Sequence, residues 1–130
     1  MKNGIIFLTL MVVVSIIACN KEKAIKPSAD FTTNIQDNTL KAGKNFTVYL
    51  KNTSGEFLVY FKGGTEETTY DPSDETRLGT VISSDADSVL VTAYNNPGQY
   101  VFTLVASSSG NWGEDYLQDV KSVTINVEAP

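Results

Sequence analysis

The side chains best equipped for chemistry lie in two stretches of this 130-residue chain. Ser107 to Tyr116 (SSSGNWGEDY) holds the only tryptophan, Trp112, close to Asn111, Glu114, Asp115 and Tyr116. An exposed indole beside a tyrosine can stack on a sugar ring while Asn111, Glu114 and Asp115 bond its hydroxyls. Flat aromatic faces lose little conformational entropy on binding, and loops on a rigid scaffold are where sites tend to lie. The alternative is that Trp112 folds back and plugs one end of the core. The second stretch, Glu66 to Glu75 (EETTYDPSDE), offers hard oxygen ligands that suit calcium. It lacks the spacing of any defined calcium loop, so no metal site is assigned and a solvated, mobile loop is expected. Asp85-Ala86-Asp87 reads as a turn on the same grounds.

A glycosidase needs two carboxylates flanking the scissile bond. Glu114 with Glu66 or Asp71 has the right chemistry, but nothing in the spacing nominates such a pair. The chain contains no histidine, which removes the commonest general base and the commonest transition-metal ligand together. A Ser-His-Asp triad, a Cys-His dyad and a His-bearing zinc site are therefore excluded. No catalytic residue and no cofactor are assigned. The net charge is −5, with 10 Lys and Arg against 15 Asp and Glu, and nucleic-acid binding needs the reverse balance.

The elements that must position these residues start at the N-terminus. Lys2 leads into an apolar run from Ile5 to Ala18, which ends at Cys19, the chain's only cysteine. This run is too short for a comfortable membrane span of ~20 residues and has the layout of a secretory signal peptide. A lone cysteine has no disulfide partner within the chain. Residues 1–18 are taken as the signal peptide, leaving 112 residues whose net charge is −6 once Lys2 is gone. Residues 19–28 (CNKEKAIKPS) have too little apolar surface to bury and are expected to form a flexible tether. Residues 29–130 are expected to form one domain that makes up the rest of the mature chain.

Within 29–130 a period of two dominates. Asn45–Lys51 puts Phe46, Val48 and Leu50 on one face. Gln99–Ala106 does the same with Tyr100, Phe102, Leu104 and Ala106, and Lys121–Val127 with Val123, Ile125 and Val127. Phe57–Phe61 is a continuous apolar run, as in a strand covered on both faces. Asp30–Ile35, Leu78–Ile82 and Ser88–Tyr94 complete about seven strands, separated by Lys62-Gly63-Gly64, Asn96-Pro97-Gly98 and Ser109-Gly110-Asn111. The expected fold is all-β, an immunoglobulin-like two-sheet β-sandwich. Pro97 presets φ and Gly98 permits a positive φ, so the chain can turn sharply, and Tyr100 is placed to bond nearby backbone as a structural corner.

Two resemblances extend this reading. Ser15-Ile16-Ile17-Ala18-Cys19 resembles the lipobox of bacterial lipoproteins, which implies removal of the leader and lipidation of Cys19. A plain signal peptide with an incidental cysteine is the alternative. Asn20 after the cysteine lacks the aspartate that signals inner-membrane retention in some lineages, which implies a lipid-anchored place in the cell envelope at the outer membrane. Tyr94-Asn95-Asn96-Pro97-Gly98-Gln99-Tyr100-Val101-Phe102-Thr103-Leu104 resembles a corner and strand of polycystic-kidney-disease repeat (PKD) domains. Ala29-Asp30-Phe31-Thr32, Phe46–Ser54 and Val123–Val127 resemble other strands of that family. The family's W-x-F-G-D-G motif is replaced by Val59-Tyr60-Phe61-Lys62-Gly63-Gly64-Thr65, which lacks the aspartate. The resemblance implies a PKD-like sandwich of the kind found in lipoproteins of glycan-scavenging Gram-negative bacteria. The function expected is a non-catalytic accessory recognition module that contacts a glycan or an envelope protein. The alternative is a structural or assembly subunit that binds a protein partner through its sandwich surface, with no small ligand.

Overall fold

The computed structural model describes residues 23–110 and 113–130. These residues form eight strands: β1 (Ser28–Thr33), β2 (Thr39–Lys41), β3 (Phe46–Ser54), β4 (Phe57–Phe61), β5 (Thr80–Ile82), β6 (Ser88–Val91), β7 (Gly98–Gly110) and β8 (Asp115–Glu128). A three-stranded sheet, β1-β3-β6, faces a five-stranded sheet, β2-β8-β7-β4-β5. Neighbours are antiparallel except β2, which runs parallel to β8. No helix among the described residues is long and apolar enough to cross a membrane.

The alternation in the sequence places the core. Phe46, Val48 and Leu50 of β3 are buried and meet Phe102, Leu104 and Ala106 of β7 and Ile125 of β8 across the two sheets. Phe102 is the hub, with ring centroids 5.5 Å from Phe31, 5.8 Å from Phe46 and 5.4 Å from Tyr60. Edge-on and offset ring pairs of this kind add to what area burial alone contributes.

Three features depart from the expectations. The described residues hold eight strands, not about seven, because Thr39–Lys41 adds itself to β8 at Asn126–Glu128. A three-residue strand has no periodicity to read.

The last two strands are also far longer than expected. Register runs unbroken from Gly98↔Val127 to Gly110↔Asp115, so Ser107–Gly110 and Asp115–Val120 belong to a hairpin and only residues 111–114 connect it. Pairing of backbone groups carries the ladder through polar residues that show no apolar alternation.

The chain is ordered before Ala29 as well: Pro27 is buried, and β1 begins at Ser28. Ala29 N–H donates to an Asp119 carboxylate oxygen at 2.7 Å, which fastens the start of β1 to β8. At the other end β8 reaches Glu128, whose carbonyl accepts from Ala42 N–H at 2.9 Å and whose carboxylate pairs with Lys41.

Candidate functional site

Strand alternation separates the residues expected to act together. On β8, Tyr116, Gln118 and Val120 share the outer face of the five-stranded sheet. Asp115, Leu117 and Asp119 point the other way, toward the segment that precedes β1. Tyr116 is 60 % exposed, and its hydroxyl accepts a hydrogen bond from Gln118 Nε2 at 3.4 Å. Glu114 is exposed at the turn, and Asp115 is half-buried and paired with Gly110. Asn111 and Trp112 lie outside the described residues. A single loop cluster of Tyr116 with Asp115 is therefore not what the hairpin builds, because consecutive strand residues face opposite ways.

What the outer face does build is a groove. Opposed residues line up across four strands: Val120, Val105, Val59 and Val81 form one row, and Gln118, Ser107 and Phe57 the next. Val105 and Ser107 are buried although they face away from the core. Residues 65–79 fold over this face, with the Tyr70 ring 5.3 Å from Phe61. Between that loop and Tyr116 lies an open groove of about 480 Å³, floored by Val59, Val81 and Val105 and flanked by Tyr70, Arg77 and Tyr116.

Arg77 holds the loop. Its guanidinium lies 3.0 Å from Asp74 and 3.6 Å from both Glu66 and Asp71, and Nη1 donates to the Thr69 carbonyl at 3.1 Å. The acidic stretch is thus folded around a cation supplied by its own chain. Hydrogen bonds from Ser73 hold the Asp71 carboxyl below its ordinary range. Bonds from Thr76 and then Arg77 do the same for Asp74. A general acid needs its pKa raised, so these carboxylates are tuned away from that role. Among the described residues no group of three or more His, Cys, Asp or Glu is arranged to hold a metal ion.

The Asn96-Pro97-Gly98 turn lies at the far end of β7. Gly98 adopts a φ of 154°, and the Tyr100 hydroxyl donates to the Asn96 carbonyl at 2.7 Å. Tyr100 stacks on Tyr94 at 4.1 Å, and Tyr94 in turn donates to the Lys62 carbonyl at 2.6 Å. Lys62 answers from the other side: its ammonium donates to the Ala93 carbonyl at 2.7 Å and sits 4.8 Å above the Tyr94 ring. Lys62 therefore ties the turn after β4 to the segment between β6 and β7. Burial pushes the Tyr94 hydroxyl well above its ordinary value, and burial lowers the Lys62 ammonium.

The outer-face groove was not among the expected sites, yet it left a trace in the sequence. β4 is apolar at every position, and β7 alternates Phe102 and Leu104 with Val101 and Val105. Apolar residues on both sides of a strand mark cover on both, which here reaches Val59, Phe61 and Val105 but leaves Phe57 and Val101 exposed. What Arg77 would do was not readable, because its partners are set by how the loop folds. No protein-family model, curated protein or solved structure matches this chain at a significant level.

Proposed function

We propose that this chain is a lipid-anchored envelope protein whose PKD-like, immunoglobulin-like sandwich acts as a non-catalytic recognition module. Its lipid sits on Cys19, and its ligand is a glycan or an envelope protein. What supports the sandwich part of this reading is an all-β chain in which a three-stranded sheet faces a five-stranded one. The observation that carries the recognition reading is the groove flanked by Tyr70 and Tyr116 over a floor of three valines. An apolar floor with aromatic walls and a few polar groups at the edge is how proteins hold ring-shaped amphipathic ligands. At its edge Arg77 is paired with Asp71 and Asp74, and Glu75 adds a further polar group to the lining.

The assembly alternative draws on one observation of its own. Leu78 and Val81, which line the groove, stand 87 % and 75 % exposed, and Phe57, opposite Ser107 on the same sheet face, is 59 % exposed. Exposed apolar groups gathered on one face suit a protein partner.

The test titrates Cys19–Pro130 carrying Cys19→Ser with a panel of polysaccharides while Trp112 fluorescence is read. A saturable shift with one glycan that weakens at least tenfold in Tyr116→Ala is the expected result. A flat response to every glycan, with co-purification of one envelope protein that Phe57→Asp abolishes, transfers the function to the assembly reading.

A further inference from the structure

The segment before β1 settles against the β7–β8 hairpin at three successive points. Ala29 N–H is bonded to Asp119. Pro27 is buried, and with Lys26 and Ser28 it borders a cleft shared with Leu117 and Asp119. Further out, the backbone of Lys23 and Ala24 lies so close to Gly110 that a Cβ there would collide with it. Residues 29, 27 and 24 thus lie in step beside 119, 117 and the 110–115 pair. The chain enters the domain at the tip end of the hairpin.

That entry point bears on where the bilayer lies. Three residues lie between Cys19 and Lys23, so the four backbone steps reach at most about 14 Å. β7 has 13 residues and spans about 40 Å, so the turn before it stands that far from the tip. Around the tip, Ile25 is 69 % exposed, Tyr116 60 % and Leu117 41 %, and Lys23 and Lys26 are exposed beside them. Tyrosine, aliphatic and lysine side chains together are what the headgroup layer accepts. Charge at this end is mixed, because Glu114 and Asp115 are also there. The apolar and tyrosine surface is therefore what meets lipid, rather than a basic patch.

We propose that the docked segment fixes the stance of the domain on its membrane. The tip end of the β7–β8 hairpin faces the bilayer with Ile25, Tyr116 and Leu117 in the headgroup layer. The Asn96-Pro97-Gly98 turn points away from it. This inference rests on the lipid anchor at Cys19 put forward above. The groove then opens sideways, with Tyr116 on its membrane side, so ligands attached to the same membrane reach it most readily.

The experiment places one tryptophan at either end of the acylated protein. Trp112→Phe combined with Tyr116→Trp reports on the hairpin end, and Trp112→Phe combined with Asn95→Trp on the far end. Each is reconstituted in vesicles containing brominated phosphatidylcholine, with circular dichroism as the check on folding. Quenching at least threefold stronger at 116 than at 95 is expected. Equal quenching at the two positions, or stronger quenching at 95, overturns the stance. The unmodified chain gives a second measurement through Trp112, which the sequence places between Gly110 and Gly113, and it is expected to be quenched as 116 is. The mass of the N-terminal peptide reports separately whether Cys19 is acylated. If it is not, the anchor reading fails, and the same tryptophan pair on protein coupled through the Cys19 thiol to a maleimide lipid still decides the stance.

Discussion

Tyr100 and Tyr94 show how two hydroxyls with different neighbours hold one end of the sandwich. The Tyr100 hydroxyl bridges the turn to its own strand through Asn96, whereas Tyr94 reaches across to the Lys62 carbonyl. The first bond is local and the second long-range, and each ring also stacks on the other. Tyr100→Phe keeps the stack and removes only the bond to Asn96. A single neutral hydrogen bond contributes about 0.5–1.5 kcal/mol net. The variant is expected to melt roughly 3–10 °C lower by differential scanning calorimetry, at about 4–8 °C per kcal/mol for a domain near this size. A melting temperature unchanged within 1 °C would show that water replaces the tyrosine hydroxyl at no cost. The corner residues Pro97, Gly98 and Tyr100 were legible from spacing because a turn is a short-range object. The Lys62 contacts were not, since Lys62 and Ala93 stand 31 residues apart and only the sandwich brings them together.

Among the elements, the loop of residues 65–79 carries the clearest pH dependence. Asp71 and Asp74 are held below their ordinary pKa, so the folded loop favours the ionised form more than the unfolded chain does. The sign follows from linkage: the contribution is present above pH ~4 and is lost as pH falls below it. Exchange of the Thr69, Asp74 and Arg77 amides, which bond to loop carbonyls, is expected to speed up on acidification from pH 6 to pH 3 after correction for intrinsic rates. Arg77→Gln at neutral pH is expected to mimic this, with about fivefold faster exchange, because solvent-screened ion pairs each contribute little. Exchange that is insensitive to both changes would mean the Thr65, Thr68 and Thr69 hydroxyl bonds alone hold the loop. The acids themselves were plain in the sequence, but their common partner was not. From a linear chain, a run of carboxylates looks solvated until a folded backbone places a guanidinium among them.

For the whole molecule, stability rests on one hydrophobic layer between the two sheets. Leu104 is fully buried there, near the Phe102 hub. Leu104→Ala removes its contacts and leaves a cavity, which costs ~2–5 kcal/mol. That is a large share of the ~5–15 kcal/mol that holds a typical domain. Denaturant unfolding should show the midpoint fall with an unchanged slope. A cost under 1 kcal/mol would mean the sheets close over the vacated space. The fold class follows from alternation along β3, β7 and β8, whose inward residues were identified one by one from sequence. Strand lengths were not: polar Ser107–Ser109 and Asp115–Asp119 pair because their neighbours already do.

The sequence by itself determined an all-β chain with one buried face per strand, a tight turn before Tyr100, and the absence of histidine chemistry. Each of these depends on residue type or on spacing within a few positions, where side-chain period and backbone preference act directly. Tertiary structure alone decided three things: that Asp115 and Tyr116 face opposite ways on one long hairpin, that Arg77 gathers the acids beside an apolar groove, and that residues 23–27 lie along the hairpin as a docked strap. All three depend on strand register and on contacts between residues far apart in the chain. Such contacts form only once the two sheets have closed on their shared core.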